Sequence, residues 1–192
     1  MREIVLDIET QNTFQEIGSA DPRRLKVSLV GIHHSDDGGL EAFREGDLPR
    51  LWPVFERADR LIGYNIKGFD LPVLNAYYPG DLLRFPTLDI MEEIAKVTGF
   101  RVKLDDVARS TLGEGKTGSG LQAIEFFRKG EWDKLEAYCL SDVRLTRQIY
   151  EFGLREGFVR IHDRQGKDLE IPVAFALPAV AVRPTINLTM PF

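Results

Sequence analysis

The sequence has little cysteine and no long apolar run, and each shortage excludes a class of protein. The single cysteine, Cys139, rules out an internal disulfide and fits a reducing, cytoplasmic setting. No apolar run approaches the roughly 20 residues that a membrane-spanning helix needs. The opening MREIVLDIE also lacks the apolar stretch and cleavage signal of an export peptide. We therefore expect a cytoplasmic protein without a membrane partner.

Histidine is also scarce, and the 25 basic residues are outnumbered by 30 acidic ones. His33 and His34 are neighbours in a predicted strand, so they point to opposite faces, and only His162 remains to join them. This argues against a zinc site. The net charge of −5 argues against tight, metal-free binding of nucleic acid. Bound divalent ions would reverse the local sign at an acidic cleft, so a nucleic-acid substrate is not excluded.

The patterning predicts an α/β protein with a central mixed β-sheet flanked by α-helices. Strands are predicted at 3–9, 26–34, 40–43 and 60–65, and helices at 47–59, 68–78, 88–99, 103–113 and 131–156, with a loop at 113–120. A terminal hairpin over about 158–175 turns at Gln165–Gly166. We expect one domain at 1–176, followed by an extended, proline-punctuated tail at 177–192.

Carboxylates interrupt three apolar segments. In the first strand the side chains at 4, 6 and 8 face one way, whereas Asp7 and Glu9 face the other. Asp70 opens a predicted helix, and Asp142 lies within the apolar stripe of the helix at 131–156. A buried carboxylate is costly unless a cation meets it. We therefore expect these four acids to converge on divalent metal ions, which carboxylate oxygens bind well.

Three of these acids and Tyr138 also have simpler interpretations. Asp7 and Glu9 could form a solvated strand end, and Asp70 could be an acid favoured by the helix dipole. Tyr138 could be a core tyrosine whose hydroxyl reaches solvent. The functional interpretation is preferred because the motifs occur together.

These motifs resemble those of a known enzyme family. DIET at 7–10, N-x-x-x-F-D at 65–70 and Y-x-x-x-D at 138–142 are similar to the DEDD exonucleases of the tyrosine branch. That group includes the proofreading exonuclease domains of family B DNA polymerases and their stand-alone relatives. The resemblance spans roughly residues 3–155 and implies the ribonuclease H-like fold. Ala137 occupies the position at which the histidine branch carries its histidine.

The resemblance implies a role for each motif residue. Asp7, Glu9, Asp70 and Asp142 would bind two ions, Mg²⁺ or Mn²⁺, and Tyr138 would orient the attacking water. The residues that would contact the substrate are Thr10, Asn65, Lys67, Phe69 and Lys116. The implied reaction is 3′–5′ removal of nucleoside monophosphates from single-stranded or frayed ends, with DNA expected before RNA.

Two other functions stay open. A ribonuclease H-like endonuclease would use similar acids with a different cutting geometry. A domain without turnover could instead dock on a replication or repair partner, such as a polymerase. The tail at 177–192 also leaves self-association open as a homo-oligomer.

Overall fold

The computed structural model describes residues 1–163 and 166–176 of the chain. The predicted tail at 177–192 and the turn residue Gln165 lie outside these described residues. Within them, no helix combines the length and the apolar character that a membrane crossing requires.

The described chain alternates strands and helices. The strands are β1 (Glu3–Thr10), β2 (Val27–His34), β3 (Leu40–Arg44), β4 (Arg60–Gly63), β5 (Thr87–Asp89), β6 (Phe158–His162) and β7 (Asp168–Pro172). The α-helices are α1 (Leu48–Glu56), α2 (Asp70–Asn75), α3 (Ile90–Thr98), α4 (Leu104–Leu112), α5 (Gly120–Lys129) and α6 (Trp132–Glu156).

Five strands form a mixed sheet with β1 at its centre. The order is β3-β2-β1-β4-β5, in which β1 pairs antiparallel with β2 and parallel with β4. Strand β5 pairs parallel with β4, and β6 pairs with β7 in a separate antiparallel hairpin. This is the α/β architecture that the sequence patterning predicts.

Helices cover both faces of the sheet, as the alternation along β1 predicts. Ile4, Leu6 and Ile8 pack into one core with α1 and α2. Val5 packs on the other face, in a core with α3, α4, α6 and the β6–β7 hairpin. Asp7 and Glu9 follow Val5 on this second face at alternate positions, so they point toward the side on which α6 lies.

Two elements differ from the sequence prediction. The segment at 88–99 was expected to be helical throughout, but Leu88 and Asp89 belong to β5 and the helix begins at Ile90. Helix α5 lies where no element is predicted, and only its first residue, Gly120, falls in the predicted loop at 113–120. A capping box between Ser119 and Gln122 begins this helix. Pairing with β4 and local capping therefore override the apparent pattern in these two places.

Candidate functional site

The first two acids of the site come from the end of the central strand. The backbone of Asp7 pairs with that of Gly31 on β2, and the register shifts between Glu9 and Thr10. Glu9 is only 7% exposed and Asp7 is half-buried. A register shift of this kind bends a strand and is common beside functional sites. Strand β1 thus places two carboxylates near its carboxyl end, on the face toward α6.

The third acid comes from α6, which lies close to the sheet because of Gly31. A Cβ atom at this glycine would lie 2.9 Å from Cys139 Sγ and 3.0 Å from Val143 Cγ2. The glycine therefore allows α6 to pack directly on the β1–β2 pair. Cys139 is fully buried, with its Sγ 3.6 Å from the carbonyl oxygen of Asp7. Asp142 lies one turn farther along the helix and reaches the same end of β1.

Asp7, Glu9 and Asp142 form a compact acidic group. One carboxylate oxygen from each lies within 4.8 Å of the others, and Asp142 is fully buried. Asp142 Oδ1 is buried and makes no hydrogen bond with a described residue. Hard divalent cations prefer oxygen ligands of this kind. The donor set and the unpartnered oxygen therefore fit a divalent metal ion.

Asp70 lies beside this group but is held differently. It is the first residue of α2, is 4% exposed, and its Oδ1 accepts a hydrogen bond from the backbone amide of Ile8 at 3.2 Å. Asp70 lines the same cavity as Asp7, Glu9 and Asp142. Among the described residues, the compact group itself contains only those three acids. The structure thus brings Asp70, the fourth predicted ligand, to the site, where it is hydrogen-bonded to the backbone of β1.

The electrostatics of the cluster oppose its ionisation. Burial raises the pKa of Asp7 well above its usual range, and the charge of Glu9 adds to the shift. Burial also raises the pKa of Glu9 to about 8 and that of Asp70 to about 7. Burial raises the pKa of Asp142 as well, although Lys116 opposes the shift. Cations would relieve this unfavourable burial, so the site has a physical affinity for them.

Lys116 is the cation that the chain itself supplies. Its Nζ lies 2.5 Å from Asp142 Oδ2 and 5.4 Å from the centre of the Tyr138 ring. Burial opposes its charge, but the carboxylates of Asp142 and Asp7 outweigh that effect and raise the pKa of Lys116. The loop that carries Lys116 is held in place by a hydrogen bond of 2.7 Å, which the Lys116 amide donates to Asp105 Oδ1. The predicted substrate lysine therefore lies at the acidic cluster.

Tyr138 lies on the same face of α6 as Asp142, one turn earlier. Its side chain is 5% exposed, and its hydroxyl is buried close to Asp142 and Lys116. Burial, followed by the charge of Asp142, raises the pKa of this phenol. Tyr138 therefore stays protonated near neutral pH and can donate one hydrogen bond and accept others.

An open cavity of about 470 Å³ lies over the acids. Thr10 and Asn65 line it, and so does Phe69, whose ring meets that of Phe14 edge-on at 6.1 Å. Leu121, which is 66% exposed, also lines the cavity. The cavity thus combines an acidic floor with apolar wall residues suited to a planar, partly apolar group.

One predicted substrate residue lies elsewhere. Lys67 does not line this cavity, and its Nζ lies 2.5 Å from Glu92 on α3. The sequence interpretation also missed two cavity residues, Phe14 and Leu121. Phe14 lies between the predicted strands at 3–9 and 26–34, where no element is predicted, and Leu121 lies at the start of the unpredicted helix α5. Both side chains are exposed although they are large and apolar, and this exposure becomes evident only once the fold is known.

Comparisons with known proteins agree with this geometry. The family model of the RNase_H superfamily matches residues 4–152. A comparison with curated proteins gives no match. Among solved structures, a family B DNA polymerase from the hyperthermophilic archaeon Pyrobaculum calidifontis is 24% identical, with a TM-score of 0.59 over 80% of this chain. RNase D from Trypanosoma brucei is 16% identical, with a TM-score of 0.57 over 78% of this chain.

These structural likenesses show the fold. This chain spans 24% of the polymerase chain and 56% of the RNase D chain. The predicted ribonuclease H-like fold is confirmed, and the resemblance to DEDD exonucleases is confirmed at the level of the superfamily. Nucleases of this superfamily use divalent metals, and the acidic group described above can hold one. Because the matched region at 4–152 contains all three acidic motifs, this chain belongs to the RNase_H superfamily.

Proposed function

We propose that this protein is a metal-dependent 3′–5′ exonuclease. It would hydrolyse phosphodiester bonds at the 3′ end of single-stranded or frayed nucleic acid and release nucleoside 5′-monophosphates. The observation that carries the proposal is the acidic group of Asp7, Glu9 and Asp142, whose oxygens lie within 4.8 Å of one another beneath an open cavity. With Asp70 beside them, these side chains would hold two ions, Mg²⁺ or Mn²⁺.

The bound ions and the protein would divide the chemistry. Paired divalent ions supply an activated water and stabilise the leaving oxygen in an in-line displacement. Hydrolysis joins the water oxygen to phosphorus, breaks the bond to the 3′ oxygen and leaves a 3′ hydroxyl on the shortened strand. Tyr138 would orient the attacking water by hydrogen bond, because its phenol keeps its proton near neutral pH. This is a positioning role, since a phenol of raised pKa is a poor base.

The remaining cavity residues would hold the terminal nucleotide. Lys116 would contact a phosphate oxygen, because its ammonium group already lies at the acidic cluster. Phe69 and Phe14 would pack against a base, as aromatic side chains do in single-strand binding. Thr10 and Asn65 would supply polar contacts from the cavity wall. A phosphate contact from Lys67 would first require it to leave Glu92.

DNA is the substrate to test first. The neighbour with the higher identity, 24%, is a DNA polymerase, whereas RNase D is 16% identical. A polymerase or repair partner, and self-association through residues 177–192, are further parts of the proposal. Sedimentation of the full chain beside one ending at Ala176 would test self-association.

End-labelled oligonucleotides test the activity. DNA and RNA strands of matched sequence, labelled at the 5′ or the 3′ end, are incubated with Mg²⁺, with Mn²⁺ or with excess EDTA. We expect a ladder of single-nucleotide steps from the 5′ label, immediate release of mononucleotide from the 3′ label, and no cleavage in EDTA. A circular single strand is the control and should remain intact.

The same assay separates the alternatives. Cleavage of the circle would indicate a ribonuclease H-like endonuclease. Binding without turnover in either metal would indicate the docking module. Full cleavage in excess EDTA would contradict a metal-dependent mechanism for the exonuclease and the endonuclease alike.

A further inference from the structure

Asp89 is a buried acid outside the predicted motifs, and its hydrogen bonds with the described part of the chain are all to backbone amides. It ends β5 and is 3% exposed. Its Oδ1 accepts from the amides of Asn65 at 3.0 Å and Glu92 at 3.1 Å. Its Oδ2 accepts from the amide of Lys67 at 3.0 Å. One side chain thus joins the end of β5, the start of α3 and the turn that follows β4.

The turn at 64–69 adopts a backbone conformation that needs support. Asn65 has a φ of 64°, and it is the one residue other than glycine with a positive φ among the described residues. Its carbonyl accepts from the amides of Gly68 at 3.1 Å and Phe69 at 3.0 Å. A Cβ atom at Gly68 would lie 2.5 Å from Asn65 Oδ1. A residue other than glycine keeps a left-handed backbone conformation only where surrounding contacts stabilise it. Asp89 supplies two such contacts, because it accepts hydrogen bonds from the amides of Asn65 and Lys67.

This turn leads directly into the site. Phe69, which lines the cavity, ends the turn, and Asp70 follows it as the first residue of α2. Asp70 then accepts a hydrogen bond from Ile8, between Asp7 and Glu9 on β1. The sequence of contacts runs from Asp89 through the turn to Asp70 and the acid-bearing strand.

We propose that Asp89 is a positioning residue of this site: it fixes the turn at 64–69 and so sets Asp70, Asn65 and Phe69 relative to the acids of β1. The inference deepens the proposed exonuclease function and rests on it. Removing a residue that orients a metal ligand typically lowers metal affinity or activity by about 10–100-fold. Asp89 acts through the backbone and touches no reacting atom.

The competing explanation is that Asp89 only caps α3. Capping needs the contact with Glu92 alone, whereas the contacts with Asn65 and Lys67 serve the turn. Serine is a good N-cap residue, but it offers a single oxygen. The variant Asp89→Ser therefore keeps an oxygen that can cap α3, removes the oxygen that accepts from Lys67, and shortens the side chain that reaches Asn65.

Three variants test the proposal: Asp89→Ser, Asp89→Asn and the control Asp81→Ser. Asp81 caps the short helix at 82–84 through the Leu83 amide and does not line the cavity. For Asp89→Ser we expect faster hydrogen exchange at the amides of Asn65 and Lys67, with protection kept at Glu92. We also expect the Mn²⁺ concentration for half-maximal thermal stabilisation to rise about 10–100-fold.

Kinetics and the conservative variant complete the test. The kcat of Asp89→Ser should fall at limiting Mn²⁺ and recover in part at high Mn²⁺. Asp89→Asn keeps one carbonyl oxygen, so its Mn²⁺ midpoint should lie between those of the wild type and Asp89→Ser. Asp81→Ser should match the wild type in its Mn²⁺ midpoint and kcat.

If Asp89→Ser has a lower melting temperature but a wild-type Mn²⁺ midpoint and kcat, the proposal is overturned. Asp89 would then serve only as the N-cap of α3. If Asp89→Ser does not fold, a wild-type midpoint in Asp89→Asn overturns it equally. Exchange and metal titration need no turnover. An inactive wild type with a shifted midpoint in Asp89→Ser would therefore reject the exonuclease and keep the positioning role.

Discussion

The two ends of strand β1 both carry acids that are at least half-buried, but they differ in how those acids are compensated. At the first end, Glu3 receives hydrogen bonds from Arg60 at 2.6 and 3.1 Å and from the hydroxyl of Tyr150 at 2.7 Å. Arg60 also donates to the carbonyl of Phe175 at 2.8 Å. The acid and its buried cation therefore satisfy each other, and they join β1, β4, α6 and the segment after β7.

At the other end, about 20 Å along the strand, negative charge is in excess. Asp7 and Glu9 meet Asp142, and one ammonium group, that of Lys116, faces them. Burial raises the pKa values of these acids, and Asp142 Oδ1 has no hydrogen bond with a described residue. The comparison teaches that burial of an acid does not by itself indicate function. A buried acid indicates function when too few hydrogen-bond donors and cations compensate its charge.

The largest expected effect comes from removing one charge at the deficient end. Asp7→Asn keeps the shape of the side chain, and we expect cleavage to fall by about 10³-fold or more, equivalent to about 4 kcal/mol of barrier. Its free energy of unfolding in EDTA should stay equal or rise, because a repelled, buried charge is lost. Single-turnover cleavage and denaturant unfolding measure the two quantities. Activity within tenfold of the wild type would contradict the assignment of Asp7.

The same amide-for-acid change at the other end should have the opposite character. Glu3→Gln leaves the buried guanidinium of Arg60 without its counter-charge, which we expect to lower the free energy of unfolding by about 3 kcal/mol. The kcat of the folded fraction should match the wild type. Asp7→Asn is the matched control on the same strand. A stable but inactive Glu3→Gln protein would erase the distinction between the two ends.

Helix α6 allows the comparison to be repeated with tyrosines. Tyr138→Phe removes the hydroxyl proposed to orient water, and we expect kcat to fall by about 10²-fold with an unchanged Mn²⁺ midpoint. Tyr150→Phe, about 18 Å along the helix, removes a donor to Glu3 and should cost stability while kcat is kept. A Mn²⁺ midpoint that shifts in Tyr138→Phe would assign this tyrosine to metal binding instead.

The sequence predicts what depends on local periodicity. Alternation places Asp7 and Glu9 on one face of β1, and helical periodicity places Tyr138 and Asp142 in a buried stripe, as the structure confirms. Both results follow from one element at a time. The convergence of the acids was inferred from the cost of burying them.

Contacts between distant segments could not be predicted in the same way. Strand β5 has only three residues, and its pairing with β4 gives Asp89 its contacts with the turn after β4. Lys67 and Lys116 occupy similar glycine-flanked segments, yet one meets Glu92 and the other Asp142. No local pattern distinguishes them, because their partners lie about 25 residues away in the chain.

The smallest expected effect is the change in the free energy of unfolding per pH unit in the absence of metal. Burial raises the pKa of Glu9 from an ordinary value of 4.5 to about 8, and that of Asp70 from 3.8 to about 7. Between these values the folded protein holds protons that the unfolded chain has released. The free energy of unfolding in EDTA should therefore fall as pH rises from about 4.5 to about 8. For each such acid we expect a loss of up to about 1.4 kcal/mol per pH unit, and each kcal/mol corresponds to about 2–4 °C in Tm.

Saturating Mn²⁺ should reverse this slope, because metal binds the deprotonated carboxylates and favours the folded state more strongly as pH rises. Asp7→Asn should flatten the slope in EDTA, since it removes one titrating acid and weakens the repulsion on Glu9. Glu3→Gln should shift the whole curve downward and leave its slope unchanged, because it leaves the acidic cluster intact. If the free energy of unfolding changed with pH at the same slope in the wild type, Asp7→Asn and Glu3→Gln, the two ends of β1 would be electrostatically alike.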